Sequence, residues 1–281
     1  MTWLRPGKTF ARALGRVFNR CGMVVQAIAF NMFLAFFPTL LIAVGLATSA
    51  LGSKTGLLDL IRHLTTYLPP GSQQVVGEYL VRRAPNAWRW AILGWGGTLL
   101  AGSQVMKLVM EGIHLLYGDP ERLPYLRRQL RGFTLLCVTI APLLVAAILG
   151  VFGRPLRVWV LREFGRSGAV RGLLSVVFPL TAMLLAMAAL AVIYRVARPQ
   201  VAAWRAVLPG AALATLLWWT LNLLFGIYVR RVPYGMVYGG LAAAIGLMIW
   251  MQLSAFVALF GAAWNAEAAS ALRPAGERSR A

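Results

Sequence analysis

Five long stretches of this chain contain no Asp, Glu, Lys or Arg: Cys21 to Ser53, Gly132 to Gly153, Gly172 to Tyr194, Ala206 to Val229 and Val232 to Ala266. A helix rises 1.5 Å per residue, so about 20 residues cross a hydrocarbon core roughly 30 Å thick, and each stretch reaches that length. A sixth apolar stretch, Trp90 to Met106, lies between Arg89 and Lys107. It becomes long enough when Lys107 extends its ammonium towards the headgroups. The expected fold is therefore all-α and polytopic, with about six transmembrane helices. Only 13% of the residues are charged and 59% are hydrophobic, whereas a soluble domain is about 25% charged. A water-soluble enzyme fold does not fit this balance.

The expected organisation is a basic cytoplasmic leader over 1–22, a six-helix domain over 23–265 and a cytoplasmic tail over 266–281. The spans fall at 23–50, 90–112, 132–153, 173–195, 207–229 and 237–265. The leader carries Arg5, Lys8, Arg12, Arg16 and Arg20, spaced to share a face of a short surface-lying helix. The apolar run after it is too long for a signal-peptide core, so the first span is expected to be retained. Pro38 removes a backbone donor within that span and is expected to kink the helix or divide it. Residues 51–88 hold two amphipathic pieces, one with Leu57, Leu60, Ile61 and Leu64, the other with Val75, Val76, Tyr79 and Leu80. Pro69, Pro70 and Gly71 separate them, which reads as two short helices forming an outer cap.

A formal net charge of +20 raises the question of a nucleic-acid partner. The basic residues instead stand at the ends of apolar spans, where they meet anionic lipid headgroups, and no base-stacking platform is visible. Membrane lipids of anionic character are the expected partners and nucleic acid is not; a homo-oligomer or an envelope protein is a further candidate. Six spans place both termini on one side, with 15 Lys and Arg there against 12 opposite. That small excess puts the termini in the cytoplasm. The margin is narrow because Arg154 to Arg171 places five arginines on the other side, interleaved with Val158, Trp159, Leu161 and Phe164. Such a segment either anchors the chain or binds headgroups.

The residues give little support to catalysis. Cys21 and Cys137 suit neither a disulfide framework nor a metal site. Two-metal hydrolysis needs carboxylates converging on ions about 4 Å apart, but the eight acids are dispersed over loops and span ends. His63 and His114 lie in different connections, and no nucleophile elbow, phosphate-binding loop or metal-ligand pattern occurs. No catalytic residue, metal or cofactor is assigned.

Polar groups inside the spans carry more information, because hydrocarbon penalises them unless they face a partner or a cavity. They are Gln26, Asn31, Gln104, Lys107, Glu111, Asn222, Gln252 and Asn265, and the plain alternative for each is an interhelical hydrogen bond worth roughly 0.6–2 kcal/mol. Asn31, two turns before Pro38, and Asn222 are the leading binding candidates. Lys107 and Glu111 are spaced to pair along one helix face. Between the last two spans, Arg230, Arg231, Tyr234, Tyr238 and Gly239 form either an aromatic-belted turn or a phosphate contact.

Two regions resemble a known family. Ala27, Ala29, Phe30, Phe33, Phe37 and Pro38 match an opening A-x-A-[YF]-x-x-[LF] run that leads to Phe-Pro. Near the end, Pro209, Gly210, Tyr234, Val237, Tyr238, Gly239, Trp250, Gly261, Ala262, Asn265, Ala266 and Glu267 match a Pro-Gly, Y-x-x-[VI]-Y-G, Trp and G-A-x-x-N-A-E series. The pattern resembles the YihY/BrkB family of bacterial inner-membrane proteins, historically labelled ribonuclease BN. It departs at Ala35, where Ser is common, and at Ala263, where an acid is common. The resemblance implies a six-helix inner-membrane protein tied to envelope integrity, to serum resistance in pathogens, and to movement of lipid or a lipid-linked envelope precursor. A membrane scaffold is the alternative reading, and ribonuclease activity a disfavoured second one.

Overall fold

A computed structural model of the chain describes residues 6–51, 87–119, 124, 126–142, 144–145, 168–198, 202–231 and 240–272. These residues form long helices. Helix α1 is Pro6–Leu51, α2 is Ala87–Tyr117, and α3 is the helical segment 126–142. Helix α4 is Gly168–Val196, α5 is Trp204–Arg231 and α6 is Gly240–Leu272. Among the described residues, five helices (α1, α2, α4, α5 and α6) are long and apolar enough to cross a membrane. The expected span at 132–153 is helical through 142 and again at 144–145, and its remainder lies outside the described residues. The chain is an all-α polytopic membrane protein.

The outside of the bundle shows which solvent it needs. Leu173, Val176, Leu180 and Leu184 on α4 and Leu216, Leu223 and Leu224 on α5 are exposed. Large side chains presented over whole helix faces are stable in hydrocarbon and costly in water.

Helix α1 packs on α2 and α6, α5 on α6, α4 on α5, and α2 on α6. The shared core is made by Ala13, Val17, Cys21, Val25 and Ile28 of α1, Ile113 and Leu116 of α2, and Leu259, Phe260 and Ala263 of α6. The α1 residues recur every three or four positions and so form one continuous stripe.

Three expectations about element boundaries are corrected. The leader is no separate surface helix: α1 is continuous over 46 residues, roughly 70 Å at helical rise, so it extends well past the hydrocarbon. Its first turns dock through Phe10 on Phe260, with ring centroids 5.0 Å apart, and Phe18 on Phe256 at 5.2 Å. Pro38 does not divide the helix; its ring is seated on α2, where a Cβ added to Gly97 would lie 2.9 Å from the proline Cγ. The last helix runs to Leu272, so the first tail residues belong to the bundle. The expected cap lies outside the described residues up to residue 86, and Ala87 and Trp88 open α2.

Candidate functional site

One end of the bundle gathers the start of α1, the ends of α2, α4 and α6 and the starts of α3 and α5, with α1 packed on α2 and α6. Several of the polar groups there are matched in pairs. Arg16 bonds Glu267 at 2.6 Å and donates to the Leu116 carbonyl at 2.9 Å, which ties α1 to both α6 and α2. Helix α2 ends at Gly118, whose φ of 71° is a left-handed conformation that glycine adopts without penalty. Asp119 N then donates to the His114 carbonyl at 3.1 Å, the closing bond of a Schellman cap. That turn aims Asp119 at Arg198, which donates through Nε at 2.7 Å and Nη2 at 3.1 Å. The same guanidinium lies 4.0 Å over the Tyr117 ring. His114 Nε2 donates to the Ala197 carbonyl at 2.8 Å.

Lys107 and Glu111, expected to pair along one face of α2, both reach partners across a helix seam. Glu111 accepts from Arg128 at 2.6 Å, and Lys107 donates to Gln129 Oε1 at 2.6 Å. Both partners stand on α3, whose close approach is set by Gly132: an added Cβ there would meet Lys107 Cγ at 2.7 Å.

The α5–α6 seam accounts for much of the C-terminal motif. Gly210 and Gly261 allow the two backbones to cross: a Cβ on Gly261 would lie 2.5 Å from the Gly210 carbonyl oxygen and 2.6 Å from the Tyr194 hydroxyl. Pro209, which has no N–H, loosens the helical ladder at this turn. Asn265 enters the opening, accepting from Gly210 N at 2.8 Å and donating to the Val207 carbonyl at 3.0 Å. With Glu267 held by Arg16, Pro209, Gly210, Gly261, Asn265 and Glu267 together make a packing lock.

The middle of the bundle is built differently. A cavity of about 230 Å³ is lined by Met32 of α1, Ala186 and Leu190 of α4, Ala214, Thr215 and Trp218 of α5, and Trp250, Ser254, Val257 and Ala258 of α6. Most of these residues are half-buried, so the cavity opens at the protein surface. Its lining is almost wholly apolar, because the polar atoms around it are turned onto one another. Trp250 Nε1 donates to Asn222 Oδ1 at 2.9 Å, Asn222 Nδ2 to the Trp218 carbonyl at 2.7 Å, and Trp218 Nε1 to Ser254 Oγ at 3.2 Å. The two indoles lie 6.4 Å apart. Asn222 therefore fixes a tryptophan wall and does not itself face the cavity as a ligand group.

The other expected site residues are dispersed. Asn31 donates to its own helix at Ala27, 2.9 Å away, one residue before Met32 of the cavity. Pro38 belongs to the α1–α2 seam, beside Thr39, whose hydroxyl meets that of Thr98 at 3.3 Å. Gln26, Gln104 and Gln252 are exposed. Arg230 and Arg231 close α5; their side chains, together with Tyr234, Tyr238 and Gly239, lie outside the described residues. Among the described residues no three of His, Cys, Asp and Glu gather as metal ligands. The cavity itself was missed by sequence reasoning; the available signal was Trp218 and Trp250, two large amphipathic rings placed well inside spans and away from the interfaces where Trp is enriched.

Long helices with apolar outward faces, paired charges at one end and an apolar cavity between helices define a polytopic helical membrane protein. The chain belongs to the family described as Virulence factor BrkB, whose model matches residues 17–281. It is 30% identical over 278 residues to a UPF0761 membrane protein of Alkalilimnicola ehrlichii, covering 95% of this chain and 60% of that protein. It is 26% identical over 242 residues to a putative ribonuclease-like protein, YfkH, of Bacillus subtilis, covering 85% and 86% of the two. A UPF0761 membrane protein of Nitrosospira multiformis is 26% identical over 270 residues, covering 93% of this chain and 61% of that relative. The chain thus spans about 60% of the length of these UPF0761 relatives. No solved structure matches.

Proposed function

We propose that this protein handles membrane lipid as part of envelope maintenance in the bacterial inner membrane, and that the tryptophan-walled cavity holds an acyl chain. The cavity carries the reading. Its lining offers dispersion contacts to a chain and leaves no polar group to desolvate. At about 230 Å³ it is smaller than the roughly 300–1,000 Å³ that takes a drug-sized ligand, so a single chain segment suits it better than a whole polar substrate. Lipid or lipid-linked precursor movement is the activity proposed, with Arg230 and Arg231 as headgroup contacts on the opposite side and both termini in the cytoplasm.

The described acids favour this over nucleic-acid hydrolysis: Glu111, Asp119 and Glu267 are each held by an arginine. A scaffold is the second reading, favoured by the extent of the paired seams. Native mass spectrometry of the purified protein separates the two. Retention of about one lipid in wild type, lost in Ala186→Phe, which fills the cavity from its half-buried α4 wall, is the expected result. Bulk lipid of equal amount in both would transfer the weight to the scaffold. In liposomes, Arg230→Ala with Arg231→Ala is expected to abolish lipid movement without lowering expression.

A further inference from the structure

Arg195 differs from the other arginines at its end of the bundle. Arg16, Arg20, Arg128 and Arg198 each donate to a carboxylate or a backbone carbonyl, and Arg12, Arg127, Arg131 and Arg205 are exposed. Arg195 is half-buried, yet among the described residues it meets no acceptor, and its Nε is buried without a partner. Among the described residues its specific contact is with Trp204, whose ring centroid lies 4.3 Å from the guanidinium carbon. A guanidinium removed from water normally keeps an anion. Stacking on an indole holds its plane and leaves the donor edge for a planar or tetrahedral oxyanion.

The position of Arg195 relative to the cavity identifies the anion. On α4, Ala186, Leu190 and Tyr194 are four residues apart and share a face. Ala186 and Leu190 line the cavity, and the Tyr194 hydroxyl donates at 2.5 Å to the carbonyl of Ala258, a residue of the same lining. Arg195 follows Tyr194 by one residue, turned about 100° off that face, and stacks on Trp204 at the start of α5; on α5, Trp204, Thr215 and Trp218 share a face, and the last two line the cavity. Eleven positions separate Trp204 from Thr215, about 16 Å at helical rise, close to the roughly 15 Å of one hydrocarbon leaflet. Trp204, exposed by 46%, opens α5, so the positive end of that helix faces the same place.

We propose that Arg195, stacked on Trp204, binds the phosphate of an anionic phospholipid in the leaflet on the N-terminal side, with one acyl chain of the same lipid running along α5 into the cavity. This rests on the lipid-handling reading and specifies its substrate charge and leaflet.

The test offers the purified full chain equimolar phosphatidylglycerol and phosphatidylcholine of matched chains and counts retained lipid by native mass spectrometry. Wild type is expected to retain phosphatidylglycerol over phosphatidylcholine by about tenfold, as befits one charge-assisted contact. Arg195→Gln is expected to retain both equally with total occupancy largely kept, whereas Arg131→Gln, an equal loss of charge on α3, leaves the preference intact. Trp204→Leu, which keeps the charge and removes its support, is expected to reduce the preference about threefold, and serves if Arg195→Gln does not fold. An undiminished preference in Arg195→Gln, or chain retention without headgroup preference in wild type, overturns this inference while the acyl-chain reading stands. No retained lipid in wild type overturns both.

Discussion

The N-terminal-side end of the bundle and its middle are made by the same helices but treat polar atoms in opposite ways. At the end, carboxylates, guanidiniums, Asn265 and the Gly210 amide of α5 engage partners across helix seams. In the middle, Asn222, Ser254 and the two indoles satisfy one another around a volume left unfilled. Hydrocarbon gives no hydrophobic drive for helices to associate, so close backbone crossings and interhelical bonds must supply it. The end supplies both. The middle can then keep a cavity, at a cost in lost dispersion contacts that a bound chain would offset.

This contrast can be broken by overfilling each region. Gly261→Val is expected to have the largest effect, because even its Cβ would meet the Gly210 carbonyl, the Tyr194 hydroxyl and Ala214 within 2.7 Å. A loss of about 3 kcal/mol, read as aggregation on size exclusion and a fall in Tm, is expected; a monodisperse variant of unchanged Tm would show that the crossing is looser than described. Asn265→Leu strands Gly210 N and the Val207 carbonyl and is expected to cost about 2 kcal/mol, measured by thermal unfolding in detergent. Arg16 and Glu267 are each partly exposed, so a double-mutant cycle of Arg16→Leu and Glu267→Leu should give a coupling of only about 1 kcal/mol. Ala186→Phe is expected to change Tm least, or to raise it slightly, while removing retained lipid. Equal destabilisation by Ala186→Phe and Gly261→Val would erase the distinction between the two regions.

The helices were legible because charge-free length is nearly sufficient evidence for a span. Their ends were less so: the α1 leader is basic but also carries Ala13 and Val17, which pack into the core, and α6 continues past Asn265 because Glu267 has Arg16 as a partner. The motif residues pointed to the right places, and Pro209, Gly210, Gly261 and Asn265 prove to be one packing device. Sequence displays the i, i+4 spacing of Lys107 and Glu111 on one helix, but hides their partners Gln129 and Arg128 across the seam. Of the cavity only its two tryptophans, Trp218 and Trp250, left a mark in the sequence, and the role of Arg195 left none. Helices α4 and α6 are apolar on every face, so periodicity does not say which side meets protein, and a space bounded by four helices leaves no trace in any one of them.

The most direct measurement is photocrosslinking with a phospholipid that carries a diazirine near the middle of one acyl chain, followed by peptide mapping of the adducts. The expected result is labelling concentrated on Met32, Trp218, Trp250 and Val257, and lost in Ala186→Phe. Labelling confined to outward residues such as Leu173, Leu184 and Leu223, and unaltered by Ala186→Phe, would contradict an acyl chain in the cavity.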